Sequence, residues 1–404
     1  MASKMRMLIL LGISFIVAWT GWSIYSYFFS RGVPSLLIAG IEQEGSYAGD
    51  IPCCVKGKDR YKVSTLSIAI DGKPLISNFK IGKKEFEYPF TIPTKALSNG
   101  KHILTVEAQN GTFHKERASQ EVPLYVDNIP LQAALVKGGI DAKVFQGKTL
   151  HIQFQANKEL KSASVDVFSK SYPCYAEAEK SLIYECFIPV DCEQLPNEYL
   201  LTMEIEDKVG NKMTLESKFQ VVMFPFKKQS LKISPEKIKA EEENSLPEQK
   251  LEEELEELSK KSPHKKLWQG AFCAPIEFKS PKQITTEFGV IRTTQHKGLK
   301  QHKAVDLYGT PKSVVWAPQD GIVVIKNRYA HSGNTVVIDH GCSILSLFFH
   351  LDSFAPIEVG QKIKKGNPLG TIGQTGQATG YHLHVELRIH NIAVDPLEWT
   401  KQSF

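Results

Sequence analysis

The chain has 404 residues, 42% hydrophobic and 23% charged, with a formal net charge of +5. That length excludes a single small domain and allows about two to four, each able to bury a core of its own. The charge is mild and forms no clustered Lys/Arg face, so nucleic acid is not expected as a partner, while composition excludes neither an enzyme nor a structural protein.

From Met7 to Phe29 the sequence runs 23 residues without a charge, flanked by Lys4 and Arg6 before it and Arg31 after it. That length spans a bilayer. Trp19, Trp22, Tyr25, Phe28 and Phe29 crowd its end where a cleaved signal peptide would have small residues, so residues 1–34 read as a retained signal anchor. The basic residues on the short N-terminal side place the rest outside the cytoplasm. The expectation is a single-pass protein of the cytoplasmic membrane, with its later domains on the extracytoplasmic side.

From Leu36 to Met223 short alternating apolar runs are broken by turn dipeptides, as in Leu66, Ile68, Ile70 followed by Asp71-Gly72. A fragment recurs: Asn99 leads to Leu104-Thr105-Val106-Glu107-Ala108, and Asn197 to Leu201-Thr202-Met203-Glu204-Ile205, 97 residues later. That is one sandwich length. Val126-Asp127-Asn128-Ile129-Pro130 resembles the junction of tandem bacterial immunoglobulin-like domains, which places β-sandwiches at 35–127 and 128–225. His102, His114 and His151 lie singly and read as solvated or satisfied histidines. These modules read as spacers or as surfaces for an envelope protein partner. Cys174, Cys186 and Cys192 lie close enough for one disulfide, and no C-x-x-C spacing occurs among the seven cysteines.

Lys and Glu dominate residues 226–268. Leu251, Leu255 and Leu258 recur at helical spacing, and Ser245 with Glu248 reads as a capping box. The apolar stripe is too short for a coiled coil, so a solvated linker helix is expected.

Residues 269–404 carry the chemistry. Four histidines and one aspartate stand in the order His302-x-x-x-Asp306, His350, His382-Leu383-His384. Tyr381 to Ile389 reads as a strand, so His382 and His384 project from one face. Two imidazoles and a carboxylate suit zinc, and three protein ligands leave a fourth position open for water. No H-E-x-x-H occurs, so a proton shuttle falls to the spare histidines. Glu386, two residues beyond His384, either orients a ligand or faces solvent. His296, His331, His340 and His390 read as surface or groove residues. Thr293 to Lys300 reads as a polar, basic loop near the groove.

Together with Thr286-Glu287-Phe288-Gly289, Ala317-Pro318-Gln319-Asp320-Gly321, Val359 to Gly366 and Val394-Asp395-Pro396, this order resembles the lysostaphin/LytM-type zinc metallopeptidases over the last third of the chain. The resemblance implies a compact antiparallel β domain and peptidoglycan peptides as substrate. It makes His302, Asp306 and His384 the ligands of one Zn2+ per chain, and His350 and His382 the catalytic assistants. Ala304, Phe348-Phe349 and Tyr381 depart from the commoner family text and bear on substrate fit. The expected chain is therefore mainly β: an anchor, two sandwiches, a helical linker and a zinc endopeptidase. The rivals are a non-enzymatic activator of a partner cell-wall hydrolase, and an envelope scaffold or adhesin.

Overall fold

The structure is a computed structural model and describes residues 2–29, 31–231, 239, 246–294 and 298–404. It is mainly β, as the alternating apolar runs predict, and its contacts divide it into two units. One is Met1–Pro130 with Lys208–Asn211, and the other Leu131–Asp207 with Lys212–Phe404.

The first unit opens with the helix Ala2–Phe29. Among the described residues no helix is long and apolar enough to cross a membrane. The span expected over Met7–Phe29, and with it the single-pass cytoplasmic-membrane localisation and the membrane as partner, is therefore corrected. An uncharged run is a matter of sequence, whereas a span needs a described helix that is both long and apolar enough. The last turn of the helix Ala2–Phe29 instead meets the unit's own sheet: the Phe113 N–H donates to the Tyr27 carbonyl at 2.9 Å, and the two rings lie 6.4 Å apart.

That sheet has six strands in one hydrogen-bonded network. Ile51–Ile70 and Lys73–Ile92 form a long hairpin closed by Asp71-Gly72, both with positive φ (49° and 74°), as a tight primed turn requires. Ile51–Ile70 changes neighbour along its length. Its first part pairs with Ser35–Ala39 and its second with Gly100–Asn110, with register shifts between. Val55, Val63, Leu66, Ile68, Leu104, Val106 and Leu124 alternate into one buried cluster. His102 is satisfied, with Nδ1 2.6 Å from Asp71 and Nε2 2.7 Å from the Ser98 carbonyl.

The second unit begins with a five-stranded and a four-stranded sheet that enclose Ile152, Phe154, Val165, Met203, Phe219 and Val221. The recurring fragment has a structural counterpart here. Gly100–Asn110 and Asn197–Asp207 are both 11-residue strands, each paired antiparallel with the strand that follows it. All seven cysteines carry free thiols, so the disulfide expected among Cys174, Cys186 and Cys192 is not formed. A ten-stranded sheet follows, with Ile344–Phe354 running through its middle and buried over its first eight residues.

These layers are joined. Tyr175, Phe187, Trp268, Phe272, Ile389, Trp399 and Phe404 share one apolar cluster. Trp399 donates its indole N–H to Thr149 at 3.0 Å, and Lys266 reaches the buried Glu185 at 2.7 Å.

The helix Glu248–Lys261 is not solvated all round, as its charge suggests. Leu251 and Leu255 are fully buried against Ile325, Tyr329, Val337, Leu345, Leu347 and Phe349. A two-turn leucine stripe is too short for a coiled coil but matches the face of a sheet. Ser245 of the expected capping box lies outside the described residues. Glu248 turns outward from the helix and accepts from the backbone N–H groups of His331 and Ser332 at 2.9 and 3.1 Å. Burial pushes its carboxyl above the usual range.

Candidate metal centre

Val305–Leu307 pairs antiparallel with Leu383–Ile389 and sets Asp306 directly opposite His384. On its other side His384 faces Phe349, whose ring stacks on the imidazole at 5.0 Å and 9°. Leu383, Val385 and Leu387 go into the core, so by strand alternation His384, Glu386 and Arg388 share the opposite face. His302 enters from the preceding loop, tied at both backbone atoms. Its N–H donates to the Val290 carbonyl and its carbonyl accepts from Gly289, each at 2.8 Å. Gly289 (φ 79°) lies against Phe226 where a Cβ would clash, which explains the glycine in the Thr-Glu-Phe-Gly run.

Three ligand atoms converge. Asp306 Oδ1 lies 3.2 Å from His302 Nε2 and 3.0 Å from His384 Nδ1, and the two nitrogens are 3.2 Å apart. Donors about 2.0–2.1 Å from a tetrahedral zinc ion would be about 3.3–3.4 Å from one another. The N,N,O triangle therefore fits that ion. His302, Asp306 and His384 are the group of potential metal-binding side chains found among the described residues.

Electrostatics agree with a site built for a cation. Burial disfavours the charge on Asp306, yet the two imidazoles outweigh it and hold the carboxyl well below the usual range. Burial also disfavours a charged His384, but hydrogen bonds to Asp306 and Glu386 raise it to about 9. Burial lowers His302.

The surroundings orient this set. Asp306 Oδ2 accepts from Arg292 Nη2 at 2.5 Å, and the same nitrogen donates to Thr286 at 3.1 Å. This leaves Oδ1 facing the histidines. His384 Nε2 lies 3.2 Å from Glu386 Oε1, so in the neutral ring the proton belongs on Nε2 and the lone pair on Nδ1. Burial opposes ionisation of Glu386, but Arg388 overrides it and lowers that carboxyl to about 2.

His350 and His382 flank the triangle, their ring centroids 4.9 Å apart. His350 sits at φ 61°, where the register between Ile344–Phe354 and its neighbour Gly333–Asp339 slips. A bulge of this kind re-aims a side chain, and the left-handed backbone costs about 1–3 kcal/mol. His350 Nδ1 donates to the Thr375 carbonyl at 2.8 Å, and burial keeps the ring neutral, well below its ordinary pKa. His382 Nδ1 donates to the Gly380 carbonyl at 2.9 Å, leaving Nε2 3.7 Å from Asp306 Oδ1. Burial lowers its pKa as well.

All five residues singled out in the sequence thus meet at one place. Glu386 turns inward rather than to solvent. His340 is not a surface or groove residue but fully buried, bonded to the Asp320 carbonyl and to Ser346 at 2.7 and 2.9 Å. His390 packs on Tyr172. His296, with part of the basic loop expected at Thr293–Lys300, lies outside the described residues. Arg292 and Arg388 were not foreseen. Arg388 continues the every-second-residue pattern of His384 and Glu386, which is a usable signal, whereas nothing in the spacing marks Arg292.

Several curated proteins are similar to this region. Peptidoglycan DD-endopeptidase ShyC of Vibrio cholerae is 29% identical over 124 residues, covering 30% of this chain and 28% of that protein. Peptidoglycan DD-endopeptidase ShyA of the same organism is 34% identical over 105 residues, 25% of this chain and 24% of that one. The DD-carboxypeptidase/endopeptidase Mpg of Neisseria meningitidis is 34% identical over 96 residues, 24% of this chain and 22% of that one. The chain thus spans less than a third of the length of these relatives. Among solved structures, a putative peptidase M23 from Pseudomonas aeruginosa aligns with 63% of this chain and 94% of its own, at 20% identity and a TM-score of 0.43. Residues 300–396, which hold all five site residues, match Peptidase family M23, and the C-terminal part of this chain is a domain of that family.

Proposed function

We propose that the C-terminal domain is a zinc metallopeptidase that hydrolyses peptide bonds in the cross-links or stem peptides of bacterial peptidoglycan. The observation that carries this reading is the triangle of His302 Nε2, Asp306 Oδ1 and His384 Nδ1, with edges of 3.0–3.2 Å. In it these three residues hold one zinc ion. When bound, that ion supplies Lewis acidity toward a carbonyl and lowers the pKa of water to about 7.

The remaining steps fall to the chain's own groups. His350 and His382, each pinned through Nδ1–H to a backbone carbonyl, present Nε2 as the proton acceptor. One takes the proton of the attacking water, and the resulting imidazolium returns it to the departing amine. While it carries that proton, the imidazolium Nε2–H faces the oxyanion that develops on the substrate carbonyl. Glu386 keeps His384 in the ligating tautomer, and Arg292 fixes the Asp306 carboxylate. The names of the similar proteins support peptidoglycan as the polymer, and chemistry supports its peptide bonds. A glycosidic bond offers no carbonyl and normally takes two free carboxylates, whereas the two of this centre are engaged, Asp306 by Arg292 and His384 and Glu386 by Arg388 and His384.

The test is digestion of purified peptidoglycan by the zinc-loaded chain, read by mass spectrometry of muropeptides. Loss of cross-linked species, stopped by a chelator, is the expected result. New reducing sugar ends without peptide cleavage, or no cleavage of any wall preparation, would refute the reading.

A further inference from the structure

The helix Glu248–Lys261 lies outside the matched domain, yet one of its side chains ends a continuous line of hydrogen bonds that begins at the metal centre. His384 Nε2 meets Glu386 Oε1 at 3.2 Å. Glu386 Oε2 accepts from Arg388 Nε at 2.7 Å. The two outer nitrogens of Arg388 then fork onto Glu252, Nη1 to Oε2 at 2.7 Å and Nη2 to Oε1 at 3.1 Å. Asn391 also shares the guanidinium, at 3.1 Å from Nη1.

Each link limits the next. A guanidinium is planar, so anchoring its two outer nitrogens fixes where Nε points. Nε in turn settles which way the Glu386 carboxylate faces. That carboxylate decides the rotation and tautomer of the His384 ring. Arg388 is itself almost buried, at 11% side-chain exposure, so without Glu252 two of the N–H groups it now donates would need other partners.

Glu252 is half exposed, at 52%, and exposed ion pairs contribute little stability as a rule. Its placement is different from that of an ordinary surface glutamate. Leu251 and Leu255 pin the helix to the sheet on either side of it, and Glu248 anchors the first turn to the loop at His331 and Ser332. That loop also accepts the backbone N–H of His350 through the Ser332 carbonyl, at 2.8 Å. Among the described residues Glu253, next to Glu252 in sequence, meets Gln249 on the same helix.

The geometry points to Glu252 as a positioning residue for the metal centre, acting through Arg388 and Glu386 on His384. The helix is then part of the catalytic apparatus. This inference rests on the zinc ligand set given under the proposed function.

The experiment uses the full chain. Zinc affinity is read by competition with a chromophoric chelator, and ligand geometry by the d–d spectrum of the cobalt-substituted protein. Groups bonded straight to a ligand typically control affinity about 10–100-fold, so Glu252→Gln, two links further out, is expected to weaken zinc about three- to tenfold and to shift the cobalt spectrum. Glu253→Gln is expected to do neither. In a Glu386→Gln background the effect of Glu252→Gln should vanish, because the line is already cut.

Unchanged affinity and spectrum in Glu252→Gln would overturn the inference. So would an equal loss in the Glu386→Gln background, which would mark a general loosening of the fold. The ligand set fails separately: it falls if His302→Ala keeps its zinc, whatever Glu252→Gln does. Loss of zinc in His302→Ala beside an indifferent Glu252→Gln overturns the positioning role alone.

Discussion

Asp306 and His384 stand opposite each other on neighbouring antiparallel strands, with Oδ1 of one 3.0 Å from Nδ1 of the other. Two rigid strands therefore set one edge of the ligand triangle before any metal arrives. His302, held at both backbone atoms, completes it.

This arrangement makes metal content the first measurement. His302→Ala and His384→Ala should each lose zinc, because two remaining protein ligands compete poorly with water. Elemental analysis after gel filtration reads the outcome. Equal metal in both variants and the parent would mean that other side chains hold the ion.

His350→Ala should separate binding from chemistry. Its Nδ1 is committed to Thr375 and it supplies no edge of the triangle, so metal content should stay near that of the parent. Turnover of cross-linked muropeptides should fall about a hundredfold or more, the scale of a lost proton acceptor or oxyanion donor. Full turnover would reduce His350 to a packed histidine beside Phe348 and Phe349.

Leu255→Ala probes the seat of the helix. The side chain is fully buried against the sheet, and deleting a buried leucine to alanine costs about 2–5 kcal/mol. A urea midpoint unchanged from the parent would show that the helix contributes nothing to the stability of the sheet beneath it.

Glu398 supplies a pH dependence away from the metal centre. It accepts from the Thr149 N–H at 3.0 Å, and burial pushes its carboxyl up to about 7, against the opposing pull of Lys148 and with a small push from Asp395. An unfolded glutamate titrates near about 4.3. Between those values the folded chain holds the proton and the unfolded chain does not, so stability falls as pH rises through that window. Glu398→Gln keeps an acceptor for Thr149 and removes the proton. Its urea midpoint should vary less than the parent's between about pH 4.3 and 7, and identical slopes would show that Glu398 is not the group responsible.

What the sequence by itself determined is local. Leu383, Val385 and Leu387 alternate with His384, Glu386 and Arg388, so strand periodicity alone puts the three polar groups on one face. The order of His302, Asp306, His350, His382 and His384 marks the chemistry, because few constellations leave two imidazoles and a carboxylate around an open zinc position. Turns such as Asp71-Gly72 are equally legible, since φ and side-chain bulk decide them within two residues.

Only the tertiary structure decided the rest. A charge count cannot tell a solvated helix from one whose Leu251 and Leu255 meet a sheet about 70–100 residues away in sequence, since burial depends on a partner surface that spacing does not encode. Arg292 reaches Asp306 because a hairpin folds back on the site, and His350 aims at it because a bulge turns one residue to φ 61°. The N-terminal helix shows the converse error. An uncharged run counts length alone, whereas among the described residues no helix is both long and apolar enough to cross a bilayer.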